Sequence, residues 1–301
     1  MTRPHPDRRA FLAFAGASAA GAMVGCQGGP APNPIHRLTR NKKAVKLGMV
    51  GGDLAERPLV ERFGRLKELG FDGVELDSPN NFTREEVLAA KRATGLEIPG
   101  VVDSVHWRDR LNDPDPAVRR KGIDALSTAL RDAAAYGATS VLLVPGKVTK
   151  QDGYAECYRL SQQAIREVLP LAAELKVTIA LENVWNNFLL SPIEFAHFVD
   201  ELDSPWVGVH FDVGNVVRFG WPEHWVRTLA HRLVRIDVKE YSRRKRSFEV
   251  DLMTGDCDWP EVMKALGEVR YRGWFTAEMR GGDRPRLQQI AAGMDRILGL
   301  G

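Results

Sequence analysis

Cysteine is scarce in this chain: three in 301 residues, Cys26, Cys157 and Cys257, none in a Cys-x-x-Cys pair. That spacing excludes a disulfide scaffold, a zinc knuckle and a dithiol redox centre, and Cys157 and Cys257 read as unpaired thiols. Charge of one sign is also missing, since 42 Lys and Arg face 39 Asp and Glu for a net +3. Without residues 1–25 the balance is +1, because Arg3, Arg8, Arg9 and Asp7 leave with them. So small an imbalance predicts no nucleic-acid surface. No apolar run is long enough to cross a bilayer, and no G-x-G-x-x-G opens a dinucleotide site. What remains is an ordinary globular composition, 44% hydrophobic and 27% charged, able to bury a core but silent about chemistry.

The N-terminus reads as an address. Asp7-Arg8-Arg9-Ala10-Phe11-Leu12 precedes an Ala- and Gly-rich apolar run over 13–24, too short to span a membrane. The order resembles a twin-arginine export signal over residues 1–25. Val24-Gly25-Cys26 resembles a lipoprotein box with Cys26 as the lipid acceptor. The expectation is an exported protein facing the periplasm, touching the membrane only through that anchor. Residues 26–43, with the Pro- and Gly-rich GGPAPNP, read as a tether.

Beyond the tether, short apolar runs alternate with helix-period stretches eight times. Strands are expected at 45–50, 73–76, 98–105, 140–144, 178–181, 207–211, 233–238 and 274–277. Thr83 before Glu86 predicts a helix start, and Gly95 and Gly137 predict helix ends. Alternation of this kind implies a parallel sheet with helical crossovers. Eight units over 44–301 match one closed (β/α)8 TIM barrel, an α/β fold of roughly 250 residues.

Barrel chemistry belongs at the C-terminal strand ends. There the sequence places Glu75 (GVELD), His106 (DSVHW), Glu182 (ALENVW), Asp212 (HFDVGN), Asp237 (RIDVKE) and Glu278 (TAEMR). A carboxylate ending an apolar strand is costly unless something offsets its charge. Four on consecutive strands call for one divalent ion: manganese first, with magnesium, cobalt or zinc as alternatives. Asp237, inside its run, has a salt bridge to Lys239 or an Arg as its alternative. Asn183, Trp185, Asn186 and Asn187 after Glu182 suit a sugar, amides for hydroxyls and indole for C–H faces. His106, Trp107 and Arg280 are further substrate-contact candidates. His210 shares the parity of Asp212 and is expected behind the ligands, as is Glu75. The run Arg243-Arg244-Lys245-Arg246 reads as a solvated loop, with a phosphate clamp as the sharper alternative that export argues against.

The tail DLMTGDCDWPEVMKALGEVRYRGWFTAEM resembles the end of the sugar isomerase/epimerase superfamily, the xylose isomerase-like barrels. The LEN, FDVGN and IDVKE segments resemble that family's fifth-, sixth- and seventh-strand motifs. The resemblance implies Glu182, Asp212 and Glu278 as metal ligands, with Asp237 where the family usually has a liganding His. It places Asn215 where many members have a substrate-touching His, and Lys239-Glu240 where a Lys-Asp pair follows the ligand. It further implies Glu182 and Glu278 as the proton-transferring pair on a metal-stabilised enediolate. The expected activity is isomerisation or epimerisation of an unphosphorylated keto-sugar. The alternatives are a lyase or dehydratase acting on a 3-keto-glycoside or keto-inositol, and a non-catalytic sugar-binding lipoprotein.

Overall fold

The computed structural model describes residues 38–300. The export signal, Cys26 and most of the expected tether lie outside the described residues.

Eight strands, β1 (Lys42–Lys46), β2 (Gly73–Ser78), β3 (Gly100–Asp103), β4 (Ser140–Leu143), β5 (Thr178–Glu182), β6 (Val207–Asp212), β7 (Leu233–Val238) and β8 (Trp274–Ala277), pair in sequence order. All pairings are parallel, and β1 closes on β8 with Lys42 opposite Trp274 and Val45 opposite Ala277. The strands are buried on both faces, as a sheet lined by side chains inside and helices outside requires. The outer ring comprises α1 (Leu59–Glu68), α2 (Arg84–Thr94), α3 (Pro116–Tyr136), α4 (Tyr154–Leu175) and α5 (Pro192–Glu201). It continues with the one-turn α6 (Val213–Val217), then α7 (Pro222–Leu229), α8 (Trp259–Glu268) and α9 (Arg284–Leu298). Thr83 and Glu86 form a capping box on α2, and Gly95 and Gly137 end α2 and α3 in left-handed conformation.

Two strands and one helix differ from the sequence expectation in ways that bear on the site. β1 starts at Lys42 and ends at Lys46, and residues 47–49 form a 3-10 turn. The two leading lysines enter the sheet because their stems lie along apolar rings while their ammonium groups find carboxylates. Lys42 lies 5.1 Å over Trp274, and Lys43 reaches Asp295 at 2.6 Å. β3 ends at Asp103, so His106 sits in the following turn rather than on the strand. α6 was not anticipated; Asp212 caps it, accepting the Asn215 backbone N–H at 2.8 Å.

The barrel interior is polar in its middle and lower layers. The guanidinium of Arg235, wholly buried, donates to Ser140 Oγ and Thr139 Oγ1 at 2.9 Å each and to the Pro99 carbonyl. Above it Glu75 accepts from Thr276 Oγ1 at 3.0 Å. A Cβ on Gly100 would lie 2.8 Å from the Glu75 carboxylate, so only glycine leaves room for it. At the mouth, the loops after β1 and β8 are joined backbone to backbone, Gly51 N–H to Gly282 O at 2.8 Å and Gly282 N–H to Met49 O at 3.0 Å.

Candidate active site

Parallel closure brings the inward residues of β5 to β8 together. Glu182 ends β5, Asp212 ends β6, Asp237 is the penultimate residue of β7, and Glu278 follows β8. Each offers an oxygen within 4.8 Å of the others, a spacing that one cation can bridge. The donors are all carboxylate oxygens, which suits a hard or borderline divalent ion.

Two lysines share these carboxylates. Lys239 Nζ lies 2.8 Å from Asp212 Oδ2 and 3.0 Å from Glu278 Oε1. Lys46, at the end of β1, lies 2.9 Å from Asp237 Oδ2 and also pairs with Glu278 Oε2. Lys46 is the residue that sequence reasoning missed. With the strand read as 45–50, its position was an interior one; the register against β8 makes it the mouth residue. Asp237 thus pairs with Lys46 rather than with Lys239 or an arginine.

Buried charge sets the protonation pattern. Burial, and then the Glu278 charge, push the Glu182 carboxyl well above the usual range. Burial would also raise Glu278, but the ammonium groups of Lys46 and Lys239 outweigh it and hold Glu278 well below. Asp212 is lifted to about 6 by burial, with Lys239 opposing. Both lysines are held in the charged form: burial works against it, but the surrounding carboxylates prevail. The two glutamates on the flanks of the cluster are thus shifted in opposite directions, Glu182 upward and Glu278 downward.

A second group lies behind the first. Glu75, His210 and Asp237 offer atoms within 4.8 Å of one another, all buried. His210 Nε2 approaches Asp237 Oδ1 to 2.8 Å without hydrogen-bond geometry. Glu75 lies within β2, not at its end, and so sits a layer below the mouth.

The amides expected to meet substrate are engaged elsewhere. Asn183 donates to the Asp212 carbonyl at 2.8 Å and accepts the Asp212 N–H at 2.9 Å, locking β5 to β6 beside the carboxylate cluster. Asn215 donates its amide to the Asn183 carbonyl at 3.0 Å, and its own carbonyl accepts Trp185 Nε1 at 2.8 Å. Asn186 donates to Gly146 O at 2.7 Å, and the amide of Asn187 lies 3.4 Å from Val148 O. These side chains fix the mouth loops. His106 is buried and stays neutral, pushed down to about 3 by burial and by Lys46. Its neighbour Trp107 meets it edge-on at 5.6 Å and is half-exposed, as is Trp185. Arg280 is exposed and lies 3.8 Å from Glu249. Glu240 is wholly buried and accepts from the Met253 and Cys257 N–H groups and from Trp259 Nε1. It therefore holds the Gly-Asp-x-Asp-Trp turn. Cys157 is buried and Cys257 half-buried, both as free thiols.

Comparison with known proteins bears on the family and the fold. The model of the xylose isomerase-like TIM barrel family matches residues 63–299. The L-ribulose-5-phosphate 3-epimerase of Escherichia coli K12 is 31% identical over 238 residues, 73% of this chain and 81% of that protein. Among solved structures, L-ribulose 3-epimerase superposes with a TM-score of 0.73 at 16% identity, covering 86% of this chain and 95% of that one. The 3-keto-D-glucoside 4-epimerase of E. coli superposes at 0.72 with 17% identity, covering 86% and 99%. At those identities the two structures speak for the fold.

Proposed function

This chain belongs to the xylose isomerase-like TIM barrel family, and on that premise we propose that it is a divalent-metal-dependent sugar epimerase acting on a keto-sugar by enolisation. The observation that carries this reading is the convergence of Glu182, Asp212, Asp237 and Glu278 within 4.8 Å. The sugar epimerases named above support the reaction class.

Those four residues would hold the ion, and the all-oxygen donor set supports manganese or magnesium ahead of zinc. The ion would supply Lewis-acid polarisation of the substrate carbonyl. Glu278 accepts the proton from the carbon beside the carbonyl, and Glu182 delivers one to the same carbon from the other side, so the configuration inverts. The two carboxyls then hold each other's starting proton count, and exchange with solvent water restores both. Lys239 and Lys46 hold positive charge against the oxygens that become anionic as the enediolate forms. Asn183 and Asn215 keep the β5 and β6 ends in register, and Trp107 and Trp185 offer apolar faces to the sugar. Residues 1–25 direct export in this proposal, and Arg8→Lys with Arg9→Lys would leave the precursor in the cytoplasm.

The test is solvent exchange. The manganese-loaded protein is incubated in D2O with L-ribulose, L-ribulose 5-phosphate, D-tagatose, D-allulose or a 3-keto-glucoside, and recovered sugars are read by NMR and mass spectrometry. A product epimer carrying deuterium beside the carbonyl, absent with Glu278→Gln and after chelation, supports the reading. An epimer formed without deuterium would reject enolisation.

A further inference from the structure

We infer that a cleft beside the carboxylate cluster is a subsite for an anionic head group, a carboxylate or phosphate monoester, carried at the far end of the sugar. Its role as part of a substrate site rests on the epimerase reading; its ability to bind an anion does not. The cleft, of about 570 Å³, is lined by Trp185, Arg218, Tyr241, Arg243 and Arg246. These residues come from the segments that follow β5, β6 and β7, the same end of the barrel as the cluster.

Among the described residues, no carboxylate lies within 4 Å of any of the three guanidinium groups. The acids near this loop are engaged otherwise: Glu249 lies 3.8 Å from Arg280, and Asp256 accepts the backbone N–H of Arg243 at 2.8 Å. Two of the guanidinium groups are held in place. Arg218 lies 4.6 Å over the ring of Trp185. Arg243 donates Nε to the Val217 carbonyl at 2.8 Å and Nη2 to the Gly220 carbonyl at 2.9 Å. Arg246 is exposed, in the turn closed by the Ser242–Ser247 bridge, with φ +52°. Three planar donor groups converging without anionic partners suit carboxylate and phosphate oxygens.

A single aromatic ring links the cleft to the chemistry. Lys239 Nζ lies 5.1 Å over Phe248, whose ring lies 4.8 Å from that of Trp185 and 5.0 Å from that of Tyr241. A sugar whose carbonyl end meets Lys239 and the carboxylates would run along this wall toward the arginines. Export argued for a substrate without phosphate; a sugar acid meets the cleft and the export signal together, whereas a sugar phosphate meets the cleft alone.

Calorimetric titration of the manganese-loaded full chain with inorganic phosphate, D-glucuronate and neutral D-glucose tests this without turnover, so failure of the epimerase reading leaves the result interpretable. Arg218→Ala/Arg246→Ala is compared with Arg218→Lys/Arg246→Lys, and near-ultraviolet circular dichroism checks that both fold. The expected result is binding of an anion that weakens about tenfold or more in the alanine pair, is partly restored by lysine and falls with added salt. Tighter phosphate binding identifies a sugar phosphate as the source, and tighter glucuronate binding a sugar acid. Anion binding no tighter than that of glucose, or equal in parent and alanine pair, overturns the proposal.

Discussion

Replacing Lys46 by Met keeps the length of the side chain and deletes its charge. The Lys46 side chain is 17% exposed, and its ammonium sits against Asp237, wholly buried, and Glu278. Removing one member of a buried ion pair costs about 3–5 kcal/mol, because the remaining charge is left uncompensated. For a barrel of this size each kcal/mol moves Tm by roughly 2–4 °C, so the metal-free variant should melt about 6–20 °C below the parent near pH 8. The pH dependence follows from the shifts. Lys46 is raised, so its contribution is complete below the ordinary lysine value and is lost only as pH rises through its folded value. Glu278 is depressed, so its contribution holds above the ordinary glutamate value and is lost as pH falls through the folded one. Without Lys46 the carboxylates take up protons at higher pH, and the gap between variant and parent should narrow toward pH 5. Manganese and the ammonium compete for the same oxygens, so the ion should raise Tm more in Lys46→Met than in the parent. Thermal melts at pH 8 and pH 5, with chelator and then with manganese, read all of this. A chelated variant melting within about 2 °C of the parent at pH 8 would show that Lys46 does not carry the charge balance.

Two further substitutions probe what holds the site. Gly281→Ala would place a Cβ 1.9 Å from the Met49 carbonyl oxygen, a backbone atom that cannot give way; a loss of about 3 kcal/mol in urea unfolding is expected, and an unchanged midpoint would show that the β1 and β8 loops need not touch. Arg235→Met removes a wholly buried guanidinium whose charge is opposed by Glu75, at about 3–5 kcal/mol. Adding Glu75→Gln should recover part of that loss, whereas strictly additive costs in the double variant would dismiss the electrostatic link.

The strands were legible because a strand covered on both faces must be apolar, and a carboxylate closing such a run is conspicuous. Glu182, Asp212, Asp237 and Glu278 stood out for that reason, and the fold brings them together. Register was not legible. The closure of β1 on β8 is a contact between residues more than 200 positions apart, and nothing local in KKAVKLGMV says that the strand begins with its lysines. Missing that pairing hid Lys46. The asparagines show a different limit: residue type named the correct chemistry, hydrogen bonding by amides, but only the unforeseen turn of α6 shows that Asn183 and Asn215 spend it on backbone. The two kinds of miss meet at Asp237. Asp237 adds a negative charge to an already anionic mouth. Within the seventh strand alone that charge has no partner. Lys46, arriving from the first strand at 2.9 Å, supplies the opposite charge, so the aspartate and the lysine form one electrostatic arrangement spread over two ends of the chain.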